Sequence, residues 1–290
     1  MSFNNKSNKE KKDENKFENL KSDYILQIIF DNLSKKKSLE FIKYNKKIKS
    51  ILNINTNDYK EYSEIYSSIE IDVIPVDNID GKFININEED EDVYYHIYFN
   101  NNNKEEIKRN YINENEEIKK IKILIDYQVK SFKNLFKECE SIRSIYFKKF
   151  YRNNINNMSK MFYGCSSLKE LDLSNFNTKN VTNMNNMFLL CSSLKTLNLS
   201  NFHTNHVINM NDMFYNCSSL KELNLSNFNT INAIYMGNMF SSCSSLKDLN
   251  ISNFYINKIT HMYYMFHKCS NQLIIEIKAQ YKNIKEEAFY

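Results

Sequence analysis

The sequence predicts an α/β fold: a solenoid of stacked 26-residue coils, each a short parallel strand plus a short helix, preceded by a small helical and β-hairpin region. Three observations carry this. All six cysteines fall 26 residues apart, at Cys139, Cys165, Cys191, Cys217, Cys243 and Cys269, and a fixed period of this size marks units that bury their apolar faces only by stacking. Inside the unit, Leu171-Asp172-Leu173 alternates as a strand does, whereas Met158, Met161, Phe162 and Cys165 have the i, i+3, i+4, i+7 spacing of one helix face. The stretch before residue 118 lacks the period and reads as separate structure.

In chain order, residues 1–20 are polar, charged and without apolar periodicity, and are expected to be a disordered tail. The first fifty residues hold 13 lysines against 7 acids, yet the whole chain carries only +4. This is the pattern of a solvated basic tail, and neither a nucleic-acid nor a membrane partner is expected. No apolar run reaches the ~18 residues a membrane span needs, and no secretory h-region follows the first residues. Residues 21–52 read as two helices, with Tyr24, Ile25, Ile28, Ile29 and Leu33 on one stripe and Leu39, Phe41, Ile42, Tyr44, Ile48 and Leu52 continuing it. Residues 53–117 turn to strand chemistry. Ile69-Glu70-Ile71-Asp72-Val73 alternates, Asp80-Gly81 is a hairpin-turn dipeptide, and Ile84-Asn85-Ile86 and Val93–Phe99 continue the pattern. The acidic run Glu88–Asp92 lacks the glycine and spacing of a calcium loop and reads as a solvated loop.

The solenoid is expected over 118–290, with degenerate coils at both ends. Ile121, Ile123 and Ile125 alternate as its entry strand; near the end Leu273–Ile277 reads as a strand, Lys282–Glu287 as a polar helix, and Ala288-Phe289 as the start of one more unit, Phe289 lying 23 residues after Phe266. Glycine (3) and proline (1) are scarce for so many turns. Asparagine replaces them, because it tolerates left-handed backbone and caps its own turns. Phe214→Ala in mid-array is expected to cost more than Phe266→Ala near its end.

The recurring string Met-Phe-x-x-Cys-Ser-Ser-Leu-x-x-Leu-x-Leu-Ser-Asn-Phe-x-Thr resembles the BspA-like leucine-rich repeats of surface proteins over about half the chain. That resemblance implies a parallel sheet on the concave side and a protein-binding role. Ordinary leucine-rich repeats carry Asn or Cys at their ninth position; here Phe176 stands there, and Asn175, Asn201, Asn227 and Asn253 come one place earlier. Residues Tyr24–Leu33 and the helix after them resemble an F-box, which implies a Skp-type adaptor of a ubiquitin ligase as partner.

No residue cluster argues for catalysis, so the chain is not expected to be an enzyme or to hold a cofactor. The cysteine spacing fits no zinc site; one cysteine per coil reads as a buried free thiol in a reducing, cytoplasmic compartment. His203 and His206 sit in variable turns without ligand partners, and no metal site is expected. The candidates for partner binding are the solvent-facing positions of the concave sheet. The basic column is Arg143, Lys169, Lys195, Lys221 and Lys247; beside it lie Glu170, Glu222 and Asp248, and then Tyr146, Asp172, Asn198, Asn224 and Asn250. These columns read either as a soluble face of paired charges or as an extended surface for an acidic or mixed-charge protein partner. The expected protein is a monomeric, non-catalytic interaction scaffold. A ligase substrate receptor is the first alternative, and a surface adhesin, if the chain is incomplete, the second.

Overall fold

A coil that cannot satisfy its own backbone must donate to its neighbours, and the stacking of this chain follows from where those hydrogen bonds go. The computed structural model describes residues 67–86, 95–126, 129–256, 259 and 261–290, together with Ser50. The expected tail, the F-box-like stretch at 21–52 and the acidic run Glu88–Asp92 lie outside the described residues. Ser67–Tyr290 form one compact unit.

The segment expected as a helix in each coil is not one. Residues 158–165 form three overlapping turns, closed by Met161 N–H to Met158 O (3.3 Å), Tyr163 N–H to Lys160 O (3.2 Å) and Cys165 N–H to Phe162 O (3.2 Å). The alternate N–H groups of Met158, Lys160, Phe162 and Gly164 leave the coil and donate to Asn183, Asn185, Met187 and Leu189 of the next at 2.7–2.9 Å. A helix would keep these donors for itself. Lys160 (φ 56°) and Gly164 (φ 71°) are left-handed, as the third residue of a type II turn requires. The first position repeats as Asn134, Asn186, Asp212, Asn238 and Tyr264, the second as Glu138, Leu190, Asn216, Ser242 and Lys268. Met158, Met161, Phe162 and Cys165 nonetheless all point inward and are fully buried.

Above this turn ladder the phenylalanine rings pile up. Phe136, Phe162, Phe188, Phe214, Phe240 and Phe266 lie 5.5–5.7 Å apart, with planes within 13° of parallel. Phe176, Phe202 and Phe228 form a second stack at 6.0–6.3 Å. Each buried aromatic contributes roughly 1.5–3 kcal/mol of burial. The displaced asparagine column is a ladder: the amide of Asn175 donates to Phe147 O (3.1 Å), those of Asn201 and Asn253 to Ser174 O and Ser226 O, and that of Asn227 to Phe202 O (2.8 Å).

The sheet side is sparser than expected. β1 (Ile69–Pro75), β3 (Tyr95–Phe99), β5 (Ile121–Ile125), β6 (Ile142–Lys149) and β7 (Glu170–Asp172) form one sheet in the order β3-β5-β1-β6-β7. Only β6–β7 is parallel. β8 (Glu222–Asn224) and β9 (Asp248–Asn250) make a second parallel pair, and residues 194–199 between the two form no strand. So β1, antiparallel to β6, covers the open edge of the first coil. The expected division at 117/118 falls inside this sheet. The expected Asp80-Gly81 hairpin does not form: β2 (Gly81–Lys82) pairs with β4 (Tyr111–Ile112). Phe83 and Ile84 are both buried, which breaks alternation, and Asn85 N–H donates to Leu135 O (2.8 Å) of the first coil. Arg152, fully buried, ties this end together through Ser67 O (2.7 Å) and Ile125 O (3.1 Å); burial pulls its pKa down to about 10.

At the other end, Leu273–Ile277 is helical rather than extended, within α1 (Asn271–Gln280), whose N-terminus is capped by Ser270. Leu273 and Ile277, one turn apart, are its buried residues. The expected polar helix at Lys282–Glu287 shrinks to a 3-10 turn, Glu286–Ala288. Glu287 and Ala288 carbonyls accept from Tyr264 and Phe266 N–H, both at 2.7 Å, and Phe289 stacks on Phe266 at 5.5 Å. The final segment thus supplies the turn and ring of one more coil.

Candidate binding groove

The strand residues that point away from the core line a concave groove of about 660 Å³ running across five coils. Its walls are Tyr146, Glu170, Asp172, Thr196, Asn198, Glu222, Asn224, Asp248 and Asn250, and its floor is Leu171, Leu197 and Leu223. Parity selects this set. In β8, Glu222 and Asn224 are exposed and Leu223 between them is buried, and in β9 Asp248, Asn250 and Leu249 repeat the pattern. Registers Ser144↔Glu170, Tyr146↔Asp172, Glu222↔Asp248 and Asn224↔Asn250 carry the same face from coil to coil.

The basic column expected beside the acidic one does not line this cavity. Lys169, Lys195, Lys221 and Lys247 are exposed; Lys169, Lys221 and Lys247 immediately precede β7, β8 and β9, and none of the four lines the cavity. Arg143 has the opposite parity to Tyr146 on β6 and reaches Asp77 at 3.7 Å instead. The groove is therefore acidic. Among the described residues its carboxylates form no ion pair with a lysine or arginine. Glu222 and Asp248 sit directly in register, and like charges 4 Å apart repel by about 1 kcal/mol even in water.

Part of the candidate set has a structural task. Asp172, Asn198, Asn224 and Asn250 each accept, through Oδ1, the backbone N–H two residues on, at 2.9–3.1 Å. These bonds turn the chain after each strand. Glu170 accepts from the Tyr146 hydroxyl, and this bond, more than burial, pushes the Tyr146 pKa up. Among the described residues Thr196, Glu222 and Asp248 form no such bond, which leaves their side chains available to a partner.

A second ridge lies on the turn side, where Tyr235 stacks on His261 at 4.9 Å and Tyr263 and Tyr264 meet edge-on at 6.0 Å. Gly237 makes room for it, since a Cβ there would stand 3.0 Å from the Tyr263 ring. In the variable turns, His203 Nδ1 bonds Asn201 O (3.0 Å), and Asn180 and Asn232 donate across to Asn153 O and Asn205 O at 2.7 and 2.6 Å. Two features escaped the sequence. Thr178, Thr204 and Thr230 are fully buried, Thr178 and Thr204 donating to His203 O (2.9 Å) and Asn229 O (3.0 Å). His96 lies between Glu106 (3.0 Å) and Asp126 (3.4 Å), contacts that need the folded sheet to exist.

The six thiols are buried, and five of them donate to the phenylalanine carbonyl of the coil before at 3.0–3.2 Å. Burial pushes Cys165, Cys217 and Cys269 up to about 12. Among the described residues no His, Cys, Asp and Glu gather in a metal-binding group, and no helix is long and apolar enough to cross a membrane.

The model of a family described as Mycoplasma proteins of unknown function, DUF285, matches the chain twice, over residues 130–223 and 190–285. Together the matches run over more than half of the 290 residues. The chain belongs to the DUF285 family. Both matches fall on the stacked coils, so the family is defined here by the repeat that builds the groove. No curated protein and no solved structure matches the chain.

Proposed function

We propose that this chain is a non-catalytic protein-binding scaffold, a leucine-rich-repeat solenoid of the BspA-like kind that holds a protein partner in its concave groove. One observation carries the reading: the groove crosses five coils and presents side chains with no structural task, Thr196, Glu222 and Asp248, on a floor of leucines. Side chains mounted on a stacked, hydrogen-bonded frame keep their spacing, which is what an extended recognition surface needs. The test is affinity capture from lysate with the full chain and with Thr196→Arg, which places a long side chain in mid-groove. Loss of the captured partner with unchanged circular dichroism supports the scaffold. Equal capture by both proteins refutes use of the groove.

A further inference from the structure

We propose that the groove's occupant is an extended, cationic segment of another protein, with lysine or arginine at alternate positions. This deepens the scaffold reading and rests on it. The first argument is charge. Among the described residues the lining includes Glu170, Asp172, Glu222 and Asp248 and no basic residue. The chain as a whole is +4, so attraction of a cation is a property of this face and not of the net charge.

The second argument is that the repulsion is left standing. Glu222 and Asp248 are register partners, and among the described residues neither has a cationic neighbour in an ion pair. A bound cation between them relieves that repulsion. The carboxylates are strung along the groove and do not converge as a metal site would.

The third argument is spacing. Paired strands lie about 4.8 Å apart, so Glu170 to Asp248, three coils on, spans about 14 Å. In an extended chain, side chains on one face recur about every 6.8 Å, and residues i, i+2 and i+4 span nearly the same length. The lysine rim beside the groove repels a uniformly basic chain, which favours alternation over a continuous run.

The test is fluorescence anisotropy on the full chain with two labelled ten-residue probes, one alternating lysine with serine and one alternating glutamate with serine. The lysine probe is expected to bind, to weaken as salt rises, and to lose at least tenfold in affinity to the triple variant Glu170→Gln, Glu222→Gln, Asp248→Asn. Thr196 already places an uncharged side chain in this column, so the variant retains the fold. A control removing three exposed charges elsewhere (Glu105→Gln, Glu114→Gln, Glu117→Gln) is expected to leave binding unchanged. Equal weakening by both triples, or tighter binding of the glutamate probe, overturns the proposal. If Thr196→Arg abolishes partner capture yet the lysine probe does not bind, the cationic occupant is refuted and the scaffold stands. If the probe binds as expected but Thr196→Arg leaves capture unchanged, the groove's charge preference is supported and its use by the captured partner fails.

Discussion

Phe214→Ala tests the stacked architecture at its middle. The ring is fully buried and sandwiched between Phe188 at 5.5 Å and Phe240 at 5.7 Å. Removing it deletes a large apolar side chain and two aromatic pairs, because the flanking rings are held at coil spacing by the backbone ladder and cannot close the gap. The cost is roughly 3–5 kcal/mol, a fall in Tm of roughly 6–20 °C for a unit of this size. Phe266 was expected to be cheaper, as an end residue. It is not at the end: Phe240 covers it at 5.6 Å and Phe289 at 5.5 Å, and it too is fully buried. Phe266→Ala is therefore expected to match Phe214→Ala, while Phe289→Ala, which removes a single aromatic pair, costs about 0.5–1.5 kcal/mol less. Urea midpoints at unchanged slope, followed by circular dichroism, measure all three. A Phe266→Ala cost well below that of Phe214→Ala would refute the capping role of Glu286–Phe289.

The remaining predictions concern the ladders. Thr204→Val removes the donor to Asn229 O inside the core and is expected to cost about 1–3 kcal/mol, against almost nothing for Thr182→Val at an exposed site; urea unfolding decides. At the left-handed positions, Lys160→Gly is expected to stabilise by up to about 1 kcal/mol and Gly164→Ala to destabilise by about 1–2 kcal/mol, the latter because its new Cβ also meets Glu138 Cγ at 3.2 Å. The opposite signs would argue for a helical segment. Thiol titration at pH 8 without reductant should find none of the six cysteines reactive in the folded protein and all six after denaturation, since burial holds them protonated. Fast reaction of the native protein would contradict the buried column.

The apolar columns, the period and the asparagine ladder were all legible in the chain, because each depends on which residues face inward every 26 positions. The expected helix is absent for a definite reason. Met158, Met161, Phe162 and Cys165 face inward equally well from a helix or from a run of turns, so their spacing does not distinguish the two. The distinguishing mark was present but quieter: Asn134, Asn186, Asp212, Asn238, Gly164 and Asn216 stand at the two left-handed positions. Leu273–Ile277 is equally ambiguous in sequence, since two apolar residues four apart serve α1 as well as they would a strand.

The sequence by itself determined the stacking, because a unit whose phenylalanines, leucines and cysteine recur in fixed columns has no way to bury them except against its own copy. It also determined which columns face solvent. It did not determine the sign of the concave face. Lys221 and Glu222 are adjacent and both exposed, and which of them looks into the groove depends on the residue at which each strand begins to alternate. Only the tertiary structure decided that, through the registers between coils that set Glu222 beside Asp248 and Asn224 beside Asn250 along the groove.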